Sequence, residues 1–143
     1  MLFNLVSGAS IIGLTVLVHT FGLILITKMT AAAIANLRHH GHSSRVASMI
    51  VVVIALFGLI SIEVWIWALV YFQLGFVKTF ETALYFSTVT FSTIGYGDIV
   101  PDERWRLLAA LEGVNGFLLI GWSTAYLVAA GIRIGPFRPG EHF

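Results

Sequence analysis

The amino-acid sequence predicts an all-α integral membrane protein with three membrane-spanning helices and a short re-entrant helix ahead of the last of them. Two observations carry this expectation. Of 143 residues, 58% are hydrophobic and only 10% charged, whereas soluble domains carry about 25% charged residues, so the chain has too little charge to coat a globule in water. The apolar residues also run on in stretches much longer than a buried core helix requires. A net charge of +1 argues against a nucleic-acid partner, which calls for Lys and Arg massed on one face. The absence of cysteine removes disulfides, thiolate metal sites and Cys nucleophiles together.

Residues 2–27 hold no charged side chain, and as a helix they extend about 39 Å, beyond the roughly 30 Å of hydrocarbon in a bilayer. Ala31, Ala32 and Ala33 follow, as small residues follow a signal peptide. The stretch lacks a basic n-region, however, and is about twice as long as such an apolar core, so a retained span is expected. Residues 28–45 carry Lys28, Arg38, Arg45, His39, His40 and His42 with no acid among them, which makes this interval cytoplasmic by the positive-inside rule. The second span, 46–74, is unbroken until Glu63 and closes with Trp65, Trp67, Tyr71 and Phe72, an interfacial aromatic belt.

Within 75–106, the apolar and hydroxyl-rich stretch 80–92 is only 13 residues long, too short to cross a membrane and suited to a re-entrant helix. A third span follows over 107–132, and 133–143 is a Gly- and Pro-rich tail too short to fold alone. With the N-terminus outside, five basic residues (Lys28, Arg38, Arg45, Arg133, Arg138) fall in cytoplasmic segments and three (Lys78, Arg104, Arg106) outside. The expectation is a multi-pass cell-membrane protein with an extracytoplasmic N-terminus and a cytoplasmic C-terminus. Its divisions are an N-terminal helix and linker (1–45), a central module (46–132) and the tail (133–143).

Between the re-entrant helix and the third span stands Thr93-Ile94-Gly95-Tyr96-Gly97-Asp98. Non-helical backbone at membrane depth survives only when buried in protein or lining a water-filled path. If this segment is extended with its carbonyls turned to one side, its oxygens can replace water around a partly dehydrated cation. Gly95 and Gly97 permit the backbone angles this requires. One strand supplies one oxygen per level, so a cage of oxygens demands several copies in a closed oligomer.

The six residues resemble the selectivity filter of the potassium channel family, whose common form has Val where Ile94 stands. The resemblance extends to the order outer helix, pore helix, filter, inner helix over 46–132 and leaves the first span outside. It implies a homotetramer, the chain with three further copies of itself in membrane lipid, since such filters are built from four loops. It further implies K⁺ as permeant ligand, no cofactor, and coordination by the backbone carbonyls of Thr93, Ile94, Gly95 and Tyr96 with the Thr93 hydroxyl at the inner mouth. Gly97 and Asp98 would support the filter, Asp98 bracing its outer end. Tyr85 and Phe86 fall where the family often has an aromatic cuff, the expected role, with apolar packing as the alternative.

Val89 stands where some bacterial members have a carboxylate behind the filter, so that brace is absent. Glu112, about 8 Å below the outer end of the third span, is the acid that would compensate. An intramembrane acid is a functional hypothesis by default, the alternative being an interfacial residue reaching back to water. Glu63 lies about 17 Å from the outer end and His19 near 26 Å, a gap of roughly 9 Å. Asn115, Thr88 or Thr90 is therefore the expected partner of Glu63.

Gly113, Gly116 and Gly121 soften the third span. Gly116 matches the family's gating hinge, or serves close helix packing. No span carries an Arg series, so a voltage sensor of the known kind is not expected, and regulation is expected from the pore itself, lipid or another protein. The cluster His39, His40 and His42 could sense pH or bind a metal, but the expected reading is a solvated loop, because no acid or cysteine completes a site. The first span reads as apolar on every face and lipid-facing, with Ala9 and Gly13 a weak packing signal. The resulting expectation is passive K⁺ conduction with no bond made or broken. A poorly selective cation pore and a non-conducting membrane scaffold or accessory subunit stand as alternatives. An intramembrane enzyme is disfavoured, because no nucleophile and base share one depth.

Overall fold

The computed structural model of the chain describes residues 1–37 and 42–134. The histidine cluster, apart from the backbone of His42, and the tail from Gly135 lie outside them. Four helices follow in order, α1 (Leu2–Leu37), α2 (His42–Gln73), α3 (Phe80–Phe91) and α4 (Arg106–Ile134), with no strand among the described residues. Three are long and apolar enough to cross a membrane, over Leu2–Ala31, Arg45–Gln73 and Arg106–Arg133. The 12 residues of α3 reach only about 18 Å. The chain is therefore an all-helical membrane protein, as its composition requires.

Helix α1 runs ten residues beyond the expected end at Thr27. Lys28 ends the uncharged run without ending the helix, because Ala31, Ala32, Ala33 and Ala35 are strong helix formers and no Gly or Pro intervenes before Gly41. Helix α3 starts where Thr79 accepts a hydrogen bond from the Thr82 N–H at 3.1 Å, an N-cap that satisfies one orphan donor of the first turn.

Helix α3 wedges between α2 and α4. The core there gathers Trp67 and Tyr71 of α2, Phe86 and Phe91 of α3, and Leu108 and Leu119 of α4. Aromatic rings fill the wedge, with Tyr71 5.1 Å from Phe86 edge to face and Phe76 4.8 Å from Phe86. A second core at the other end joins Leu23 and Ile26 of α1 to Val52, Leu56 and Leu59 of α2. Trp67 and Tyr71, expected in the interfacial belt, are fully buried, while Trp65 and Phe72 keep the exposure a belt needs.

Helix α1 packs on both α2 and α4. The Asn4 side-chain amide donates to the Arg104 carbonyl at 2.5 Å, so α1 begins at the same end of the bundle as the 92–105 loop. Its buried stripe includes Asn4, Gly8, Thr15, His19 and Thr30, while Phe21, 67% exposed, and Leu17 face outward. The expectation of an apolar helix facing lipid all round is corrected by this stripe. In lipid the outer face is as apolar as a core, so hydrophobicity does not mark the buried side. Gly13 meets open space, whereas Gly8 and Gly22 admit the side chains of Leu111 and Leu59. The close approach therefore uses those two glycines and not the Ala9 and Gly13 pair.

Candidate functional site

The motif begins where α3 ends. The N–H of Thr93 donates to the Thr90 carbonyl at 3.0 Å, and those of Ile94 and Gly95 donate to the Val89 carbonyl at 3.1 and 3.2 Å. Val89 thus contributes through its backbone at a position where a carboxylate is missing. Beyond it the chain alternates in hand: Thr93, Gly95 and Gly97 have φ of 59°, 58° and 78°, while Ile94 and Tyr96 between them do not have positive φ. Glycine adopts this region freely, whereas a β-branched residue there is an outlier, so Thr93 marks local backbone strain of the kind found at functional sites.

An ordinary extended strand points successive carbonyls to opposite sides, and alternation of hand is what can turn them to one side. Among the described residues, no N–H or O–H donates to the carbonyls of Thr93, Ile94, Gly95 or Tyr96. The segment is also open on the surface of the single chain, with Ile94 56% and Tyr96 70% exposed.

Asp98 follows directly. Its carboxylate accepts from the Tyr85 hydroxyl at 2.6 Å and from the Ile99 N–H at 3.1 Å. The Tyr85 hydrogen bond holds the Asp98 carboxyl below its ordinary range, and the same bond raises the Tyr85 hydroxyl. Of the two aromatics expected as a cuff, Tyr85 ties to the motif while Phe86 is buried in the core. Further on, Asp102 accepts from the N–H groups of Arg104 and Trp105 at 3.0 and 3.3 Å, turning the chain into α4.

Behind α3, Glu112 is fully buried. It accepts from the Tyr71 hydroxyl at 2.7 Å and from the Ser87 hydroxyl at 2.5 Å, and Ser87 also lies 2.9 Å from the Val64 carbonyl. Glu112 therefore joins α2, α3 and α4 and has no hydrogen bond to Asp98 among the described residues; any support it lends the motif passes through α3. Its burial corrects the reading of an interfacial acid reaching back to water. Sequence reasoning missed Tyr71 and Ser87 as its donors. The signal was present for Tyr71, which lies a few residues from the outer end of its span, near the depth of Glu112.

Glu63 pairs with His19, Nδ1 to Oε1 at 2.8 Å, and both side chains have zero exposure. The expectation that Asn115, Thr88 or Thr90 would serve instead is overturned. Asn115 donates to Thr15 at 2.9 Å, Thr88 donates to the Leu84 carbonyl of its own helix, and Thr90 makes no bond to Glu63. The depth estimate failed because α1 overhangs the bundle at Asn4 and Arg104, which lifts His19 to the level of Glu63. Gly116 lies against the backbone carbonyl of Phe91 so closely that no Cβ fits between them, a contact that the packing reading of this glycine requires.

Residues 49–133, the stretch that builds this wedge and motif, match the family described as ion channel. The chain belongs to the ion channel family. The channel is also 38% identical over 66 residues to the calcium-gated potassium channel TvoK of Thermoplasma volcanium, a stretch covering 46% of this chain and 19% of that relative. The channel thus spans less than a fifth of the length of the curated relative it matches. No solved structure matches it. The family match begins within α2, so α1 of this channel precedes it.

Proposed function

We propose that this channel conducts K⁺ passively and selectively through a central pore formed by four copies of the chain, with no cofactor. One observation carries the reading: the alternating backbone hand of Thr93, Gly95 and Gly97 next to a row of carbonyls without donors among the described residues. Four such rows around an axis supply levels of oxygens that substitute for the hydration shell of an ion. The carbonyls of Thr93, Ile94, Gly95 and Tyr96 form the levels, and the Thr93 hydroxyl adds one at the inner mouth. No formal charge is needed in the row, because backbone dipoles do the binding.

The surroundings suit that task. Helix α3 delivers its C-terminal, partially negative end to the start of the row, with no basic residue in its last turn to cancel it. Gly97 turns the chain out of the row, and the Asp98 to Tyr85 tie braces the far end against α3. The likeness to a relative named as a potassium channel supports K⁺ as the permeant ion. The N-terminus and the 92–105 loop, which share one end of the bundle, face outward from the cell, and the basic residues near the other end face the cytoplasm. Gly116 acts in helix packing.

Reconstitution of the purified chain into liposomes tests the reading. K⁺ flux, a tetramer by mass, and a bi-ionic reversal potential strongly favouring K⁺ over Na⁺ are expected, with flux abolished in Gly95→Ala, where φ of 58° disfavours any Cβ by about 1–2 kcal/mol. A near-zero reversal potential identifies a poorly selective cation pore instead. Absence of both flux and tetramer identifies a non-conducting scaffold or accessory subunit.

A further inference from the structure

At the end of the bundle away from the filter, α1 and α4 part around a cleft of about 390 Å³. The residues there keep it open. Ala31 of α1 and Ala130 of α4 line it, side chains too short to meet. Thr27 and Tyr126, which also line it, stand 2.9 Å apart, Oγ1 to OH. The Thr27 hydroxyl donates to the Leu23 carbonyl at 2.8 Å, so the proton in its contact with Tyr126 comes from Tyr126, and both oxygens have only lone pairs left to offer the cleft. Arg133, in the last turn of α4, supplies the donors and a fixed positive charge. Among the described residues no acid lines the cleft, and the ion pair there is His19 with Glu63.

The depth of this cleft matches a membrane interface. From Arg106 to Tyr126 a helix rises about 30 Å, the thickness of the hydrocarbon layer. With Arg106 at one boundary Tyr126 stands at the other, where tyrosines concentrate, and Arg133 reaches the headgroup level. We propose that the cleft binds the headgroup of an anionic phospholipid, its phosphate on the Arg133 guanidinium and a headgroup hydroxyl donating to the Tyr126 or Thr27 oxygen. A guanidinium matches phosphate with paired donors, and lone pairs suit a polyol headgroup such as glycerol. A choline headgroup cancels the phosphate charge and has no hydroxyl to donate. Bound there, the lipid bridges α1 and α4 beside the Thr27 to Tyr126 hydrogen bond. The site does not depend on which ion the channel passes.

The test places the full chain in bilayers of equal phosphatidylglycerol and phosphatidylcholine, extracts it in mild detergent and counts retained lipid by native mass spectrometry. Phosphatidylglycerol is expected to be retained over phosphatidylcholine. Arg133→Gln lowers its retention about ten-fold, which corresponds to about 1.4 kcal/mol. Ala31→Leu, which fills the cleft and leaves the arginine, lowers it similarly, and Lys78→Gln at the other end leaves it unchanged. Excess inorganic phosphate does not displace the lipid. Wild-type retention in either Arg133→Gln or Ala31→Leu overturns the proposal, the latter outcome pointing to surface charge alone. Displacement by inorganic phosphate overturns it as well, in favour of a free-anion site.

Discussion

His19 of α1 and Glu63 of α2 meet in a hydrogen bond, Nδ1 to Oε1 at 2.8 Å, with neither side chain exposed. In lipid no hydrophobic force sets how far one helix slides along another, so polar contacts and close packing must fix the register. Helix α1 carries such contacts down its length: Asn4 to Arg104, Thr15 to Asn115, His19 to Glu63 and Thr27 to Tyr126. The His19 pair is the most deeply committed of these, since Trp122 of α4 lies 5.1 Å from the imidazole and both His19 Nε2 and Glu63 Oε2 lack partners among the described residues.

Breaking a buried pair from one side costs about 3–5 kcal/mol, because the remaining group stays buried and unpaired, whereas replacing both by apolar residues is often close to neutral. His19→Leu and Glu63→Leu are each expected to destabilise the channel by about 3 kcal/mol, and the double variant to recover most of that loss. Unfolding in mixed detergent micelles, read as a double-mutant cycle, measures the coupling. Simple additivity of the two losses would show that the pair does not hold α1 in register.

The Glu112 cluster makes a different prediction because its donors come from two other helices. Glu112→Leu leaves the Tyr71 hydroxyl without its acceptor, while Ser87 keeps the Val64 carbonyl, and is expected to cost about 1–3 kcal/mol for the group left unsatisfied. Glu112→Gln retains one acceptor oxygen and presents an amide to a hydroxyl that can accept, so its loss is expected near 1 kcal/mol. Glu112 does not touch the filter, and the reversal potential between K⁺ and Na⁺ in Glu112→Gln should stay at the wild-type value while the unfolding midpoint falls. A changed reversal potential at unchanged stability would instead assign Glu112 a direct hold on the filter.

The spans, the re-entrant helix and the motif were legible in the sequence because each rests on a local signal: the length of an apolar run, its interruption, or a fixed string of residue types. The contacts between helices were not legible in the same way. Counting residues from the end of an apolar run gives a depth only if every helix begins at the same plane, and α1 does not, so His19 was set about 9 Å too deep. The polar stripe of α1 was hidden for a related reason, since an apolar outer face and a mixed inner face leave no amphipathic pattern to read. Val89 illustrates a third limit. Its side chain suggested that a filter brace was missing, while its carbonyl, which no sequence reading weighs, receives two N–H groups from the motif.

Gly116 and Gly121 sit on the same helix, yet substitution should separate them. A Cβ on Gly116 collides with the Phe91 backbone carbonyl at the end of α3, whereas one on Gly121 meets nothing within 4 Å. Gly121→Ala is therefore expected to gain up to about 1 kcal/mol from helix propensity. Gly116→Ala should displace α3 from α4, lowering the thermal midpoint and the yield of conducting channel together. Unchanged stability with an altered closed-to-open equilibrium in Gly116→Ala would favour a hinge at this position.

The tie between Tyr85 and Asp98 sets the response of the filter to acid. Because the hydrogen bond holds the Asp98 carboxyl below its ordinary range, the bracing is fully present above that range and is lost as pH falls through the depressed value. Acidifying the filter side to about pH 5 should thus leave conduction intact, since even an ordinary aspartate titrates near 4. Tyr85→Phe removes the main cause of the depression, so the acid-induced loss of current should move upward toward about pH 4. Asp98→Asn can still accept from Tyr85 but cannot titrate, and should flatten the acid limb altogether. Single-channel recordings across a pH series on the filter side separate these outcomes. An acid limb that persists in Asp98→Asn would place the titrating group elsewhere in the channel.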